Sequence, residues 1–280
     1  MPNFSDKVLS WFYVNGRHDL PWQKQPTPYR VWISEIMLQQ TQVVTVIPYF
    51  MRFINRFPTV AELAASDINH VLHLWTGLGY YARARNMHKA AQLIMKEYAG
   101  LFPTRLEDLE AMPGVGRSTA GAIAALSMNI RAPILDGNVK RVLTRYFAIS
   151  GWPEHTSVNN ELWKLAENLM PHDNIADYSQ AVMDLGATLC TRTHPSCPSC
   201  PLKVECEANK TDTTQDYPSR KPKKKLPVKT IFMFILQNDL DEVLLEKRPP
   251  NGIWGSLYSL PESESSTGLP PLSKLVVEGE

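Results

Sequence analysis

Very little in this sequence leans to an extreme, and what it lacks narrows the reading. Twenty-nine basic and 28 acidic residues leave a formal charge of only +1, so no partner follows from total charge. No apolar run approaches the roughly 18 residues that a membrane span requires. The opening segment MPNFSDKVLSWFYVNG has no basic region followed by an apolar stretch, so no signal peptide is read there. There is no repeat of fixed period and no low-complexity tract. These absences predict a soluble, cytoplasmic protein with no membrane partner. Cysteine is the scarcest feature with a pattern: four in 280 residues, all within 190–206.

What is present reads as a long helical region followed by a short β-rich one. With 44% apolar and 20% charged residues the chain can bury ordinary cores, and its length suits two or three domains. Apolar positions three and four apart recur in VLSWFYVNG and through the whole stretch 28–58, and again in 59–75, 82–100 and 105–112. Pro28, Pro48 and Pro58 are expected as element boundaries. The run 219–229, SRKPKKKLPVK, carries six basic residues and no acid. It fits either a phosphate backbone or a solvated linker. Beyond it, apolar β-formers on both sides of NDLD (238–241) predict a hairpin.

The cysteines are spaced Cys190, Cys197, Cys200, Cys206, in CTRTHPSCPSCPLKVEC. A reducing interior disfavours disulfides, and a C-x2-C pair flanked by two more thiols is a metal-ligand spacing. Four thiolates suit zinc or a [4Fe-4S] cluster, and the spacing does not choose between them. Arg192, His194 and Lys203 would place positive charge on the same loop.

Two further segments carry chemistry. In LEDLEAMPGVGRSTAGAIAAL (106–126) a helix is expected to end at Met112, before Pro113 and a tight PGVG turn. The free amides opening the next helix could hold a phosphate without reading sequence. In ILDGNVKRVL, Asp136 is expected to be an N-cap whose helix keeps its carboxylate ionised. In VWISEIMLQQTQ, Glu35 sits among Ile33, Ile36 and Met37, where burial would raise its pKa, with Gln39 and Gln42 expected on its face. One carboxyl that holds its proton and one that stays ionised suit cleavage of a glycosidic bond through an oxocarbenium-like transition state.

PGVG, the downstream Asp136 and the cysteine loop together resemble the helix–hairpin–helix DNA glycosylase superfamily with an iron–sulfur cluster. PWQKQPTPYRVWISEIMLQQTQV, GLGYYARARN and GAIAAL resemble its adenine DNA glycosylase (MutY-type) branch, which excises adenine mispaired with 8-oxoguanine or guanine. LLEKRPPNGIWGSLYSLPE resembles the start of that family's Nudix-like domain. The resemblance implies a mainly α, two-lobed fold over 1–215. A six-helix lobe would occupy about 25–135, and about 1–24 with 136–215 would carry the cluster. A basic linker (216–229) and an incomplete α+β Nudix-like segment (230–280) would follow. It implies Glu35 as general acid, Asp136 stabilising the sugar cation, and Asn138 positioning Asp136. DNA contacts would come from Gln39, Gln40, Tyr80, Gly114, Gly116, Ser118 and Lys140, with Gln40 and Tyr80 entering the base stack. Cys190, Cys197, Cys200 and Cys206 would hold a [4Fe-4S] cluster. The partner would be double-stranded DNA with an A:8-oxoguanine or A:G mispair, bound by a nucleoid-associated monomer.

One position separates subfamilies. Related glycosylase/lyases place an amine nucleophile where Ser118 stands here, and a serine cannot form a Schiff base, so a monofunctional enzyme is expected. No intact Nudix box is found, and the family's 8-oxoguanine-reading loop would fall beyond residue 280, so weaker recognition of 8-oxoguanine is expected. An inert damage binder would not need both acids, and an electron carrier would not need the hairpin.

Overall fold

The computed structural model describes residues 3–221, 227–249 and 252–265, so residues 222–226 of the basic run lie outside them. Two compact units divide the chain: 1–79 with 83–221, and 80–82 with 222–280. The first is helical throughout, as the periodicity predicts.

Helix α1 (Phe4–Asn15) starts on a reciprocal cap, in which Asn3 accepts from the Asp6 amide while the Asp6 carboxylate accepts from the Asn3 amide. Pro28 opens α2 (Pro28–Leu38) at its first turn, behind the Thr27 cap. The apolar stretch 28–58 is not one helix but two, because α3 (Val43–Arg56) restarts after a break at Gln39–Gln42. Gln42 is therefore the residue preceding α3 rather than a neighbour of Glu35 on one face. Pro48 is likewise not a boundary: it lies inside α3. The carbonyl it leaves without an amide belongs to Val44, which is 73% exposed, so water can serve it. Pro58 does follow the end of α3.

Thr59 and Asp67 cap α4 (Val60–Ala65) and α5 (Ile68–Trp75). Helix α6 (Ala82–Tyr98) precedes the pair α7 (Leu106–Glu110) and α8 (Arg117–Met128). Helix α7 ends two residues before Met112, whose amide already turns tighter, onto the Leu109 carbonyl. Then come α9 (Gly137–Tyr146), α10 (Thr156–Leu169) and α11 (Ile175–Asp184), which widens into a π-helical turn over Leu185–Leu189. A 3-10 turn (Cys197–Ser199) and α12 (Glu207–Lys210) complete the unit.

Two groups of buried side chains organise it. Trp32, Phe50, Phe53, Phe57 and Trp75 are fully buried, with Phe53 edge-on to both Phe57 and Trp75. A second core joins α1 to α9, α10 and α11 through Val8, Phe12, Leu143, Leu162 and Leu185. The start of this unit is thus packed against α9–α11, and an ion pair with a fully buried carboxylate fastens them. Asp184 is fully buried and accepts from the Arg17 amide (2.7 Å), the Arg17 guanidinium and the Gln180 side chain (2.8 Å).

The second unit is β-structured where described. The turn predicted at 238–241 forms, with Gln237 bridging Val243 across it. The strands are only two residues each: β1 (Phe232–Met233) pairs antiparallel with β4 (Glu262–Ser263), and β2 (Glu246–Lys247) with β3 (Tyr258–Ser259). No helix occurs among its described residues beyond Ala82, the first residue of α6.

Removing one partner of a buried ion pair strands the other. Arg17→Ala should therefore lower unfolding stability by about 3 kcal/mol, measured by denaturant titration. A change within error would mean that Gln180 and the backbone amide satisfy Asp184 unaided.

Candidate active site

Asp136 precedes α9 as its N-cap, accepting the Val139 amide at 2.8 Å and the Asn138 side-chain amide at 2.9 Å. The segment leading into it is pinned by Ser118, whose hydroxyl accepts the Leu135 amide at 3.1 Å. Ser118 thus reaches Asp136's own strand instead of standing free as a nucleophile. The Asn138 carbonyl oxygen takes a bond from Arg141 Nη2 at 2.9 Å, which fixes the amide's orientation toward Asp136. Gly186, in the π turn, touches Asn138: an added Cβ would lie 2.7 Å from the Asn138 Cβ.

Glu35 lies one turn from the end of α2, among fully buried Ile33, Ile36 and Met37. Burial first, and the Asp136 charge second, push its carboxyl up to about 8. The expected protonated acid is present. At Asp136 burial raises the pKa, while the cap bonds and Arg141 act in the expected, lowering direction. A helix N-terminus offsets desolvation here without overcoming it. Both carboxyls are thus raised, and the Asp136 charge adds to the rise at Glu35.

The other expected contacts divide by position. In the PGVG turn Gly114 has φ +79°, and a Cβ there would come within 2.9 Å of the Asn86 Cβ, so glycine is required on both counts. Gly116 precedes α8 and is exposed, with nothing near its Cα. Gln39 ends α2, while Gln40 and Tyr80 are exposed and both left-handed, at φ 58° and 49°. Lys140 is not presented to solvent but paired with Glu154 at 2.6 Å.

The four cysteines stand around one cavity away from the acids, lined also by Val142, Arg145 and Leu202. Among the described residues no three His, Cys, Asp or Glu side chains converge on one ion position. Burial raises the Cys197, Cys200 and Cys206 thiols, Cys200 to about 12. Arg145 is 2% exposed, and its guanidinium donates to Cys190 Sγ (3.3 Å), the Thr191 carbonyl (2.7 Å) and the Thr214 carbonyl (2.9 Å). Arg141 Nε donates to the Cys190 carbonyl at 2.7 Å. One arginine therefore touches both the cysteine loop and Asp136's partner. Sequence reasoning missed Arg83, Arg141 and Arg145, since a lone arginine on a helix reads as surface until its carbonyl partners are known.

A helix–hairpin–helix with a half-buried acid, Glu35, in electrostatic range of an N-cap acid, Asp136, defines the class. Residues 33–168 match the HhH-GPD superfamily base excision DNA repair protein family. A solved thermostable thymine-DNA glycosylase superposes with a TM-score of 0.67 at 26% identity, covering 74% of this chain and 95% of that one. An endonuclease III–DNA complex, at 23% identity and TM-score 0.63, shares the fold over 74% of this chain and 94% of its own. The adenine DNA glycosylase of Buchnera aphidicola (subspecies Acyrthosiphon pisum, strain APS) is 46% identical over 259 residues, covering 92% of this chain and 74% of the relative. The Homo sapiens adenine DNA glycosylase is 42% identical over 214 residues, 73% of this chain and 39% of that protein. The chain belongs to the adenine DNA glycosylase family, hydrolases of N-glycosyl bonds.

Glu35 makes a pH test. The folded chain keeps a proton that the unfolded chain releases from about 4.5 upward, so this group's stabilising contribution is lost as pH rises toward about 8. Glu35→Gln should become progressively more stable than the parent across that window, by thermal denaturation. Parallel pH profiles would contradict the burial argument.

Proposed function

We propose that this chain excises adenine mispaired with 8-oxoguanine or guanine from double-stranded DNA, acting as a monomeric, monofunctional glycosylase. The observation that carries the reading is the pair of acids: Glu35, whose carboxyl burial and the Asp136 charge push up to about 8, and Asp136, held at the N-cap of α9 by the Val139 amide and the Asn138 side chain. Adenine is first turned out of the stack, with Gln40 and Tyr80 filling the space it leaves. Glu35 donates its proton to a ring nitrogen of the leaving base as the C1′–N bond breaks. The electron pair of that bond departs with adenine, and Asp136 stabilises the oxocarbenium ion left on the sugar. Glu35, now a carboxylate, accepts a proton from the water that attacks C1′, and an abasic site remains. Amides at Gly114 and Gly116 would hold phosphate nearby.

A lyase step requires an amine at the sugar, and Ser118 offers a hydroxyl already engaged with Leu135. Lys140 would reach phosphate by leaving Glu154.

The cysteine cavity supports a [4Fe-4S] cluster held by Cys190, Cys197, Cys200 and Cys206. Thiolates on a single zinc ion would stand about 3.8 Å apart, from Zn–S bonds of about 2.3 Å in a tetrahedron. A cuboidal cluster binds each thiolate at a separate corner, which suits thiols spread around a shared cavity. When bound, it would tie the four strands of the loop through iron–thiolate links. Around it Arg145 holds the loop's carbonyls, and Arg192 and Lys203 add positive charge.

A single-turnover assay on duplex DNA with adenine opposite 8-oxoguanine, each time point split into alkali-treated and untreated halves, tests the reaction. Breaks only after alkali are expected; breaks without alkali would mean a lyase. Glu35→Gln should slow excision by roughly 100- to 10,000-fold while binding persists. A second measurement is independent of activity. Purified protein should carry four irons and absorb near the blue end of the visible range, and Cys200→Ser should lose iron. One zinc per chain instead would overturn the cluster.

A further inference from the structure

Arg83 has more backbone partners than a surface helix residue needs. It opens the second position of α6, yet it is only 9% exposed. Its Nη1 donates to the carbonyls of Ile36 (3.0 Å), Met37 (2.8 Å) and Gln39 (2.6 Å). Its Nη2 donates to Thr41 Oγ1 (3.3 Å) and to the carbonyls of Leu78 (3.2 Å) and Gly79 (3.1 Å). The guanidinium also lies 5.3 Å from the centre of the Trp75 ring, and Trp75 Nε1 donates to the same Gly79 carbonyl.

These acceptors belong to two loops remote in sequence. The first three are terminal carbonyls of α2, which no further helical turn can satisfy. A cation at a helix C-terminus is favoured by the dipole as well as by the bonds. The planar fork reaches several acceptors at once, which a lysine ammonium cannot do. Next in sequence after the two anchored carbonyls come Gln40 and Tyr80. Both are non-glycine residues in the left-handed region and both are exposed. Two such residues, each directly following a carbonyl of the same buried guanidinium, mark backbone held in a costly conformation for a use.

We propose that Arg83 is the positioning residue for base extrusion: by fixing the Gln39 and Gly79 carbonyls it presents Gln40 and Tyr80 ready to enter the stack. This rests on the reading that those two residues replace the extruded adenine. Arg83 touches no reacting atom, and it acts before the chemical step. Its loss therefore raises the cost of opening the stack and removes no group that touches the reacting atoms.

The test uses the full chain and Arg83→Lys, which keeps the charge and loses the fork. A duplex with 2-aminopurine in place of the target adenine reports unstacking by fluorescence. Single-turnover excision is measured on mispaired adenine and on adenine in a one-base bulge, where pairing no longer opposes extrusion. The parent should show the fluorescence rise. The variant should lose it, slow by about 100-fold on the mispair, and lose much less on the bulge. Equal losses on both substrates, tracking a lowered thermal midpoint, would reduce Arg83 to a structural role and overturn the proposal. So would an undiminished fluorescence rise. If Arg83→Lys does not fold, Thr41→Val removes one acceptor and should show the same substrate bias more weakly; no bias would overturn the proposal. A parent without any rise would sink the extrusion reading itself, and this inference with it.

Discussion

A carboxylate can be held out of water only if other groups take over from it, and the site depends on how that is done for Asp136. Its oxygens accept the Val139 amide and the Asn138 side chain, and Arg141 stands behind Asn138. These bonds oppose a desolvation that still raises its pKa. The group is therefore poised: ordered in geometry, buried enough for its charge to matter, and felt by Glu35. In water the same pair would titrate together and neither role would be distinct.

Three buried or half-buried arginines do the long-range tying. Arg83 joins the end of α2 to the Leu78–Gly79 segment, Arg141 joins α9 to the π turn and Cys190, and Arg145 joins α9 to the start of the cysteine segment and to the chain beyond its last cysteine. Most of their partners are backbone carbonyls, which are present whatever the side chains are. Each tie therefore fixes a loop's path rather than its composition. Loops that must meet DNA carry few apolar side chains to anchor them, and carbonyl-to-guanidinium bonds supply that anchoring instead.

The cysteine loop follows the same logic. Burial raises three of its thiols, so free thiolates are disfavoured unless positive charge arrives to hold them. Arg145 and Arg141 hold the loop's backbone carbonyls, and the four cysteines line one cavity together with Arg145. The π turn just before Cys190 sets the path of the chain there, with the Cys190 amide bonded five residues back to Leu185. Gly186 within that turn also allows the close approach of Asn138.

Much of this was legible in the residues themselves. Helical periodicity, the N-cap at Asp136, the glycine demanded at 114, the clustered thiols and a buried acid at Glu35 all rest on local physics: period, cap chemistry, left-handed φ and apolar neighbours. What failed was also local in form. A continuous apolar pattern over 28–58 did not reveal the break at Gln39–Gln42, where the Gln39 carbonyl meets Arg83 from more than forty residues downstream. Pro48 reads as a stop but is tolerated, since exposure rather than identity decides whether its orphaned carbonyl is costly. The cap's pull on Asp136 could be read locally, but the opposing push of burial, a property of packing alone, could not. Which groups could act is legible residue by residue along the chain. Their desolvation and their partners are not, because burial and carbonyl positions arise only when distant segments close on one another.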